Sequence, residues 1–192
     1  MQDWYDLVQS WVPPESWVRV QAIDVHTEGE PLRVVFSGFS DFEGATVLER
    51  RRWAGEHRDD LRRALMWEPR GHSDMYGCIV MPPVTPLADL AVLFTHNAGY
   101  STMCGHGIIG VTTVLVECGL VPVRGPAVEL GIDTPAGFVS ARADVESTGR
   151  VSRVSFKNVS SYTERLDATV DVAGVGIVRY DLAFGGAYYA YV

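Results

Sequence analysis

Cysteine is scarce in this chain, and what there is has no framework: Cys78, Cys104 and Cys118 are three in number and fall at unrelated spacings. A disulfide-stapled secreted domain needs paired cysteines, so a reducing cytoplasmic setting is the expectation. Long apolar runs are lacking too, with no stretch of about 18 such residues. The opening Met1-Gln2-Asp3-Trp4-Tyr5-Asp6 has no basic segment followed by an apolar one. Neither export nor a membrane partner is expected. Positive charge is in short supply: 16 basic residues against 24 acidic ones leave a formal charge of -8, which argues against a nucleic-acid partner. The one basic cluster, Arg50, Arg51, Arg52, Arg58, Arg62 and Arg63, is interleaved with Glu49, Glu56, Asp59 and Asp60. A solvated helix face explains it better than a phosphate-binding patch.

What is present is enough apolar material for a core: 47% of 192 residues are hydrophobic, fitting one large domain or one lobe of a larger protein. Residues 1–16, with Trp4, Trp11 and the pair Pro13-Pro14, are expected to form an N-terminal extension. From Trp17 the alternation over Val18–Ile23 predicts a strand that pairs, across the turn Glu28-Gly29-Glu30, with a second over Pro31–Phe36. Thr46–Met66 predicts one helix, closed by Pro69. Cys78–Met81 and Leu90–Thr95 predict short strands. Gly107–Cys118 predicts a helix with almost no polar face, which must be enclosed on all sides. Val139–Val145 and the stretch around Val154 and Phe156 form a hairpin about Ser147-Thr148-Gly149. Further strands are predicted over Val170–Val172, Val178–Phe184 and Tyr188–Val192, the last ending inside the fold. Many short strands around one apolar helix predict an α+β class, with a curved sheet or barrel wrapped around that helix.

The stretch Tyr100–Gly110, YSTMCGHGIIG, places Cys104 at the mouth of this helix. Packing is one explanation, since free cysteine behaves as a small hydrophobe. Chemistry is the other. At a helix N-terminus a thiolate meets unpaired N–H groups and the positive end of the peptide dipoles, which predicts a depressed thiol pKa. Gly105 and Gly107 are poor helix formers, and bare backbone there would let a carboxylate approach the N–H groups. His106 can donate or accept a proton. A thiol acid/base beside an anion nest is what abstraction of an amino-acid α-proton requires. A cysteine hydrolase fits less well, because His106 is too near along the backbone to activate the thiol. A zinc site from Cys104, His106 and His96 or His72 lacks ligand spacing, and no metal is expected. Spacing alone leaves packing and catalysis both open.

Met103–Gly110, MCGHGIIG, resembles the first catalytic motif of the proline racemase family. Asp24–Arg33 is similar to the D-x-H-T-x-G-E-x-x-R opening of that family, Glu68–Gly77 to its E-P-R-G-H-x-D-M segment, and Phe184-Gly185-Gly186 to its F-G-G segment. The resemblance runs from about residue 18 to the end. It implies a diaminopimelate-epimerase-like fold of two lobes, of which residues 17–192 would be the first, and it implies no cofactor. It further implies that Cys104 is one acid/base and that the N–H groups of Gly105 and His106 hold the carboxylate of a proline or hydroxyproline, with Gly107 completing the nest. Family positions are also matched by His26, Arg33, Arg70, His72 and Asp74, for which structural roles are expected. The second-lobe motif D-R-S-P-(Cys or Thr)-G has no counterpart here. A cysteine there goes with racemases and epimerases, a threonine with trans-3-hydroxy-L-proline dehydratases. Tyr100-Ser-Thr-Met leans toward the dehydratases. The alternatives are a proline racemase or 4-hydroxyproline 2-epimerase, and a non-catalytic or partner-binding half-protein. A face left bare by an absent second lobe implies self-association or a homodimer.

Overall fold

The computed structural model describes residues 3–39 and 42–192. Of the expected N-terminal extension, Met1 and Gln2 lie outside these. Its remainder contains a short helix, α1 (Trp4–Ser10), capped by Asp3 and with no buried residue.

Eight strands form one sheet: β1 (Gln21–Thr27), β2 (Glu30–Ser37), β3 (Tyr76–Met81), β4 (Leu90–His96), β5 (Gly99–Ser101), β6 (Ala127–Thr134), β7 (Gly137–Val145) and β8 (Val151–Lys157). The order is β1-β2-β3-β4-β6-β7-β8, with β5 folded back on β4. Pairing is parallel between β2 and β3 and between β4 and β6, and antiparallel elsewhere. The sheet curls around the apolar helix α4 (Gly105–Glu117). Leu32, Phe94, Ile132 and Val139 from the strands pack with Ile108 and Val111 of the helix. Burying an isoleucine such as Ile108 contributes about 1.5–3 kcal/mol. The α+β lobe expected from the sequence is the fold observed.

Two helices cover the other face of the sheet. α2 (Val47–His57) begins with a capping box, in which Thr46 accepts from the Glu49 N–H and Glu49 accepts from the Thr46 N–H. α3 (Asp59–Met66) follows at once. The single helix predicted over Thr46–Met66 is thus broken at Arg58, whose φ of -134° and ψ of 23° leave the helical region. The break turns Arg62 inward. Its guanidinium grips Asp59 and donates to the carbonyls of His96 and Asn97 at 2.7 and 2.8 Å. Arg51 donates to the Tyr100 carbonyl, and Arg50 to that of Pro82. The basic cluster is therefore only in part a solvated face: Arg52 and Arg63 are exposed, while Arg50, Arg51 and Arg62 tie the helices to backbone carbonyls. With Val35, Ile79 and Leu93 packed beneath α2, β4 is buried on both faces, which is why it reads as a continuous apolar run.

The last three strands, β9 (Tyr162–Val172), β10 (Gly176–Phe184) and β11 (Tyr188–Tyr191), form a separate sheet in the order β11-β10-β9. They were expected to extend the wrap around α4. Instead β9 is exposed along nearly its whole length, and Val192, expected inside the fold, is 95% exposed.

Candidate active site

Cys104 is the N-cap of α4. Its extended backbone, φ -148° and ψ 117°, turns the side chain back over the first helical turn, where Sγ accepts the Gly107 N–H at 3.3 Å. Serine, threonine or aspartate usually fills this position, so a sulfur there substitutes for a capping oxygen. His106 folds its ring toward the same atom, bringing Nδ1 within 3.2 Å of Sγ. The two side chains share the helix mouth, as their spacing of two residues implies. Tyr76 of β3 meets the His106 ring edge-on at 4.9 Å, and its hydroxyl is hydrogen-bonded to that of Ser101.

The depressed thiol expected at a helix mouth is not found. Burial pushes the Cys104 thiol above its ordinary value. The hydrogen bond from the Gly107 N–H, with the Tyr76 hydroxyl and the His106 N–H nearby, favours the thiolate and offsets part of that rise, while Glu30 adds to it. Desolvation wins because only 9% of Cys104 is exposed. Burial pushes the Cys78 thiol up as well, and Cys118 lies at the surface.

The glycines of the motif divide in function. A Cβ on Gly107 would lie 2.7 Å from Phe94 Cε1, so this glycine lets the helix sit close on β4. Its N–H is committed to sulfur. Gly105 faces outward, where a Cβ would meet only the Phe156 ring, nearest at 3.4 Å. Outside this turn lies a cleft of about 390 Å³, with Cys104, Gly105 and His106 at its floor and Tyr76, Met103, Phe156 and Tyr189 among its walls. The walls are largely apolar, and the floor carries the thiol, an imidazole and backbone N–H groups. That arrangement can hold a small ring with a carboxylate and exchange a proton with it.

The F-G-G segment attaches the small sheet to this site. Thr102 donates its hydroxyl to the Gly186 carbonyl, and Asn158 donates to that of Gly185 at 2.9 Å. Gly186 has φ +107°, and a Cβ there would stand 2.8 Å from that of Met103. Both restrictions call for glycine.

Other sequence-matched residues sit in supporting contacts. Arg33 makes a two-pronged pair with Asp24 at 2.8 Å and donates to the carbonyls of Leu65 and Arg70. Arg70 donates to Ala64. Rings of His26 and His72 accept turn N–H groups from Gly29 and Asp74. His96 likewise accepts from Ala98, so neither His72 nor His96 joins Cys104, and no group of three metal-ligating side chains occurs among the described residues. A larger hollow of about 630 Å³ under α3, between Asp24, Arg33, Leu61 and Leu65, shares no lining residue with the cleft. Sequence reasoning missed Tyr76, Ser101, Phe156 and Tyr189. Tyr76 had a signal, lying within the matched Glu68–Gly77 segment, and Ser101 lay within the Tyr100–Gly110 stretch. No helix among the described residues is long and apolar enough to cross a membrane.

Comparison with known proteins agrees with this geometry. The solved hydroxyproline epimerase from Agrobacterium vitis, with bound trans-4-hydroxy-L-proline, superposes with a TM-score of 0.80 at 32% identity, over 89% of this chain and 50% of that one. A trans-L-3-hydroxyproline dehydratase of Xenopus tropicalis is 47% identical over 183 residues, 94% of this chain and 52% of that protein. A 3-hydroxyproline 2-epimerase of Burkholderia multivorans is also 47% identical, over 90% of this chain and 51% of that protein. The chain thus spans about half the length of the curated relatives it matches. The family model described as proline racemase matches residues 22–192, and this chain belongs to the proline racemase family.

Proposed function

We propose that this chain carries one acid/base, Cys104, of a cofactor-independent enzyme that removes the α-proton of trans-3-hydroxy-L-proline and dehydrates it. The observation that carries the reading is the sulfur at the mouth of α4, on the floor of a ring-sized cleft, with His106 Nδ1 at 3.2 Å. The thiolate takes the α-proton. The electron pair of the C–H bond becomes the double bond between Cα and C3, and the C3–O bond breaks as the hydroxyl takes the proton from the Cys104 thiol and leaves as water, which restores the thiolate. The enamine product tautomerises to a pyrroline carboxylate. The backbone N–H groups of Gly105 and His106 hold the substrate carboxylate as it takes on enediolate character, while Gly107 closes the turn. One base suffices for this reaction. Residues 17–192 serve as the first lobe, working in a reducing cytoplasm.

A second reading, epimerisation at Cα, is favoured by the bound hydroxyproline in the Agrobacterium vitis relative and by the name of the Burkholderia multivorans one. It needs a second base on the opposite face of the ring. Neither buried Cys78 nor Cys118 lines the cleft, so that base would come from outside this chain.

The test is a chimera joining residues 1–192 to the part of the Xenopus tropicalis dehydratase that they do not match. It is supplied with trans-3-hydroxy-L-proline, trans-4-hydroxy-L-proline and L-proline in D2O and followed by NMR. Pyrroline carboxylate formation that is lost in Cys104→Ser supports dehydration, and an α-deuterated epimer supports the second reading. A folded chimera that does neither, or that works equally with Cys104→Ser, overturns both. The 192-residue chain alone should give no sustained turnover, because the open cleft admits water that weakens the stabilisation of developing charge.

A further inference from the structure

The N-terminal arm carries an apolar face that no other part of the described chain covers. Trp4, Leu7 and Val8 fall on one side of α1 at helical spacing, and Trp11 follows just past its end; each is more than half exposed, and the helix has no buried residue. The root of the arm is nonetheless held. Arg19 donates to the Pro13 carbonyl at 2.8 Å, the Trp17 N–H donates to that of Pro14 at 3.0 Å, and the rings of Trp11 and Trp17 meet edge to face with centroids 5.8 Å apart. That root lies at the rim of the hollow under α3, where Val18 and Val20, through which the arm joins the lobe, form the wall with Leu61 and Leu65. The charges of the hollow are unevenly paired. Asp24 and Arg33 neutralise each other at 2.8 Å, whereas Arg70 gives only its Nε–H, to the Ala64 carbonyl, and its terminal nitrogens donate to nothing among the described residues. The hollow is thus an apolar trough with one guanidinium edge unpaired.

We propose that this hollow receives the apolar face of α1 from a second copy of the chain, the two arms being exchanged reciprocally about a two-fold axis. The mode is a helix laid in a groove, with Trp4, Leu7 and Val8 as its anchors. Three observations choose this occupant. Charge is complementary: residues 3–17 carry Asp3, Asp6 and Glu15 and no lysine or arginine, while the unpaired charge of the hollow is that of Arg70. Continuity favours exchange, since an arm rooted at the rim of one hollow meets a neighbour's hollow when the two rims face each other. Its own hollow does not hold it, because α1 is unburied while the ties at Pro13 and Pro14 fix its root. Reciprocity supplies strength. A helix of seven residues is a weak ligand by itself, and two such arms closing together act as one bivalent contact. The arm precedes the family-matched residues 22–192, and the hollow shares no lining residue with the cleft, so the contact is independent of the chemistry at Cys104.

The experiment uses the 192-residue chain with the photo-cross-linker p-benzoylphenylalanine in place of Trp4. Unlabelled and heavy-isotope-labelled protein are combined in equal parts at low concentration, concentrated together and irradiated. Mass spectrometry of the digest should find position 4 joined to the stretch 61–65 or 18–22 of the hollow. Exchange between copies makes about half of the joined pairs mixed in isotope. Same-isotope pairs alone mean that each arm returns to its own hollow and overturn the proposal. Joining to β9–β11 alone, or to nothing, overturns it as well. In sedimentation equilibrium Leu7→Asp should raise the dimer dissociation constant at least about ten-fold, and Arg70→Gln, on the hollow side, about three-fold. Because α1 has no buried residue, Leu7→Asp leaves the core intact, and an unchanged circular dichroism melt confirms it. An unchanged dissociation constant in Leu7→Asp overturns the proposal, as does a wild-type chain that stays monomeric at about 100 μM.

Discussion

Two β-sheets of the same chain solve the same problem to different extents. The eight-stranded sheet curls around α4, and α2 and α3 cover part of its outer face, so residues such as Leu32, Val92 and Ile132 lose contact with water. The three-stranded sheet carries comparable apolar residues, among them Leu166, Val175, Ile177 and Tyr189, and all of these are exposed. Both are paired along their strands, each with local register shifts. The difference shows that backbone pairing can define a sheet, while burial against a second layer is what stabilises one. An apolar surface of this kind marks an interface. For a chain with about half the length of its relatives, the remainder of the fold is the natural cover.

The comparison can be broken first at α4. Ile108→Ala, at a position with 0% exposure, should cost about 2–5 kcal/mol in urea unfolding. A cost near zero would mean that the large sheet is not held by its central helix. The next largest effect is expected at the junction. Thr102→Val removes the hydroxyl bonded to Gly186 and should cost about 1 kcal/mol. By hydrogen exchange it should speed the amides of β9–β11 while leaving those of β4 unchanged; equal effects on both would mean that the sheets unfold together.

A smaller effect is expected with acid. Hydrogen bonds from Arg33 and Arg62 hold the carboxyls of Asp24 and Asp59, which flank the large sheet, below the usual carboxylate range. A carboxyl lowered in the folded state stabilises it above the unfolded carboxylate pKa, and that stabilisation is lost as pH falls through the folded value. Thermal midpoints should therefore drop below about pH 4, and Asp24→Asn should remove part of the drop. Solvent screening limits the Asp24 share to under about 1 kcal/mol. The smallest change belongs to the small sheet: Ile177→Ala, at 79% exposure, should stay within about 0.5 kcal/mol. A loss as large as that of Ile108→Ala would show that this sheet is already covered in solution by another copy.

Much of this was legible in the sequence, and the illegible parts have a common cause. The α4 helix could be read because no polar face interrupts it, and the hairpins of β1–β2 and β7–β8 because alternation and turn residues are local signals. The break at Arg58 could not, since Arg62 suits a helix and its inward turn depends on carbonyls at His96 and Asn97, over thirty residues away. Strands β9–β11 were visible as strands, but period-two alternation does not say which sheet a strand joins. The helix-mouth position of Cys104-Gly105-His106-Gly107 was readable. Its state was not, because the burial that raises the thiol comes from parts of the chain distant in sequence. Reagents should reflect this: in the 192-residue chain, exposed Cys118 should be alkylated before Cys104, contrary to the order that the motif alone implies.

The sulfur that caps α4 gives one atom two duties, and this decides how it should be replaced. Alanine would delete the thiol and unpin the first turn together, so any functional loss could come from a frayed helix. Serine, among the best N-capping residues, keeps an acceptor for the Gly107 N–H and removes only the proton chemistry of the thiol. Covalent inhibitors face the reverse situation, since modifying Cys104 crowds the acceptor that starts the helix. A ligand that alkylates Cys104 should therefore also lower the melting temperature of the chain, and a thermal-shift screen could find such compounds without any assay of turnover.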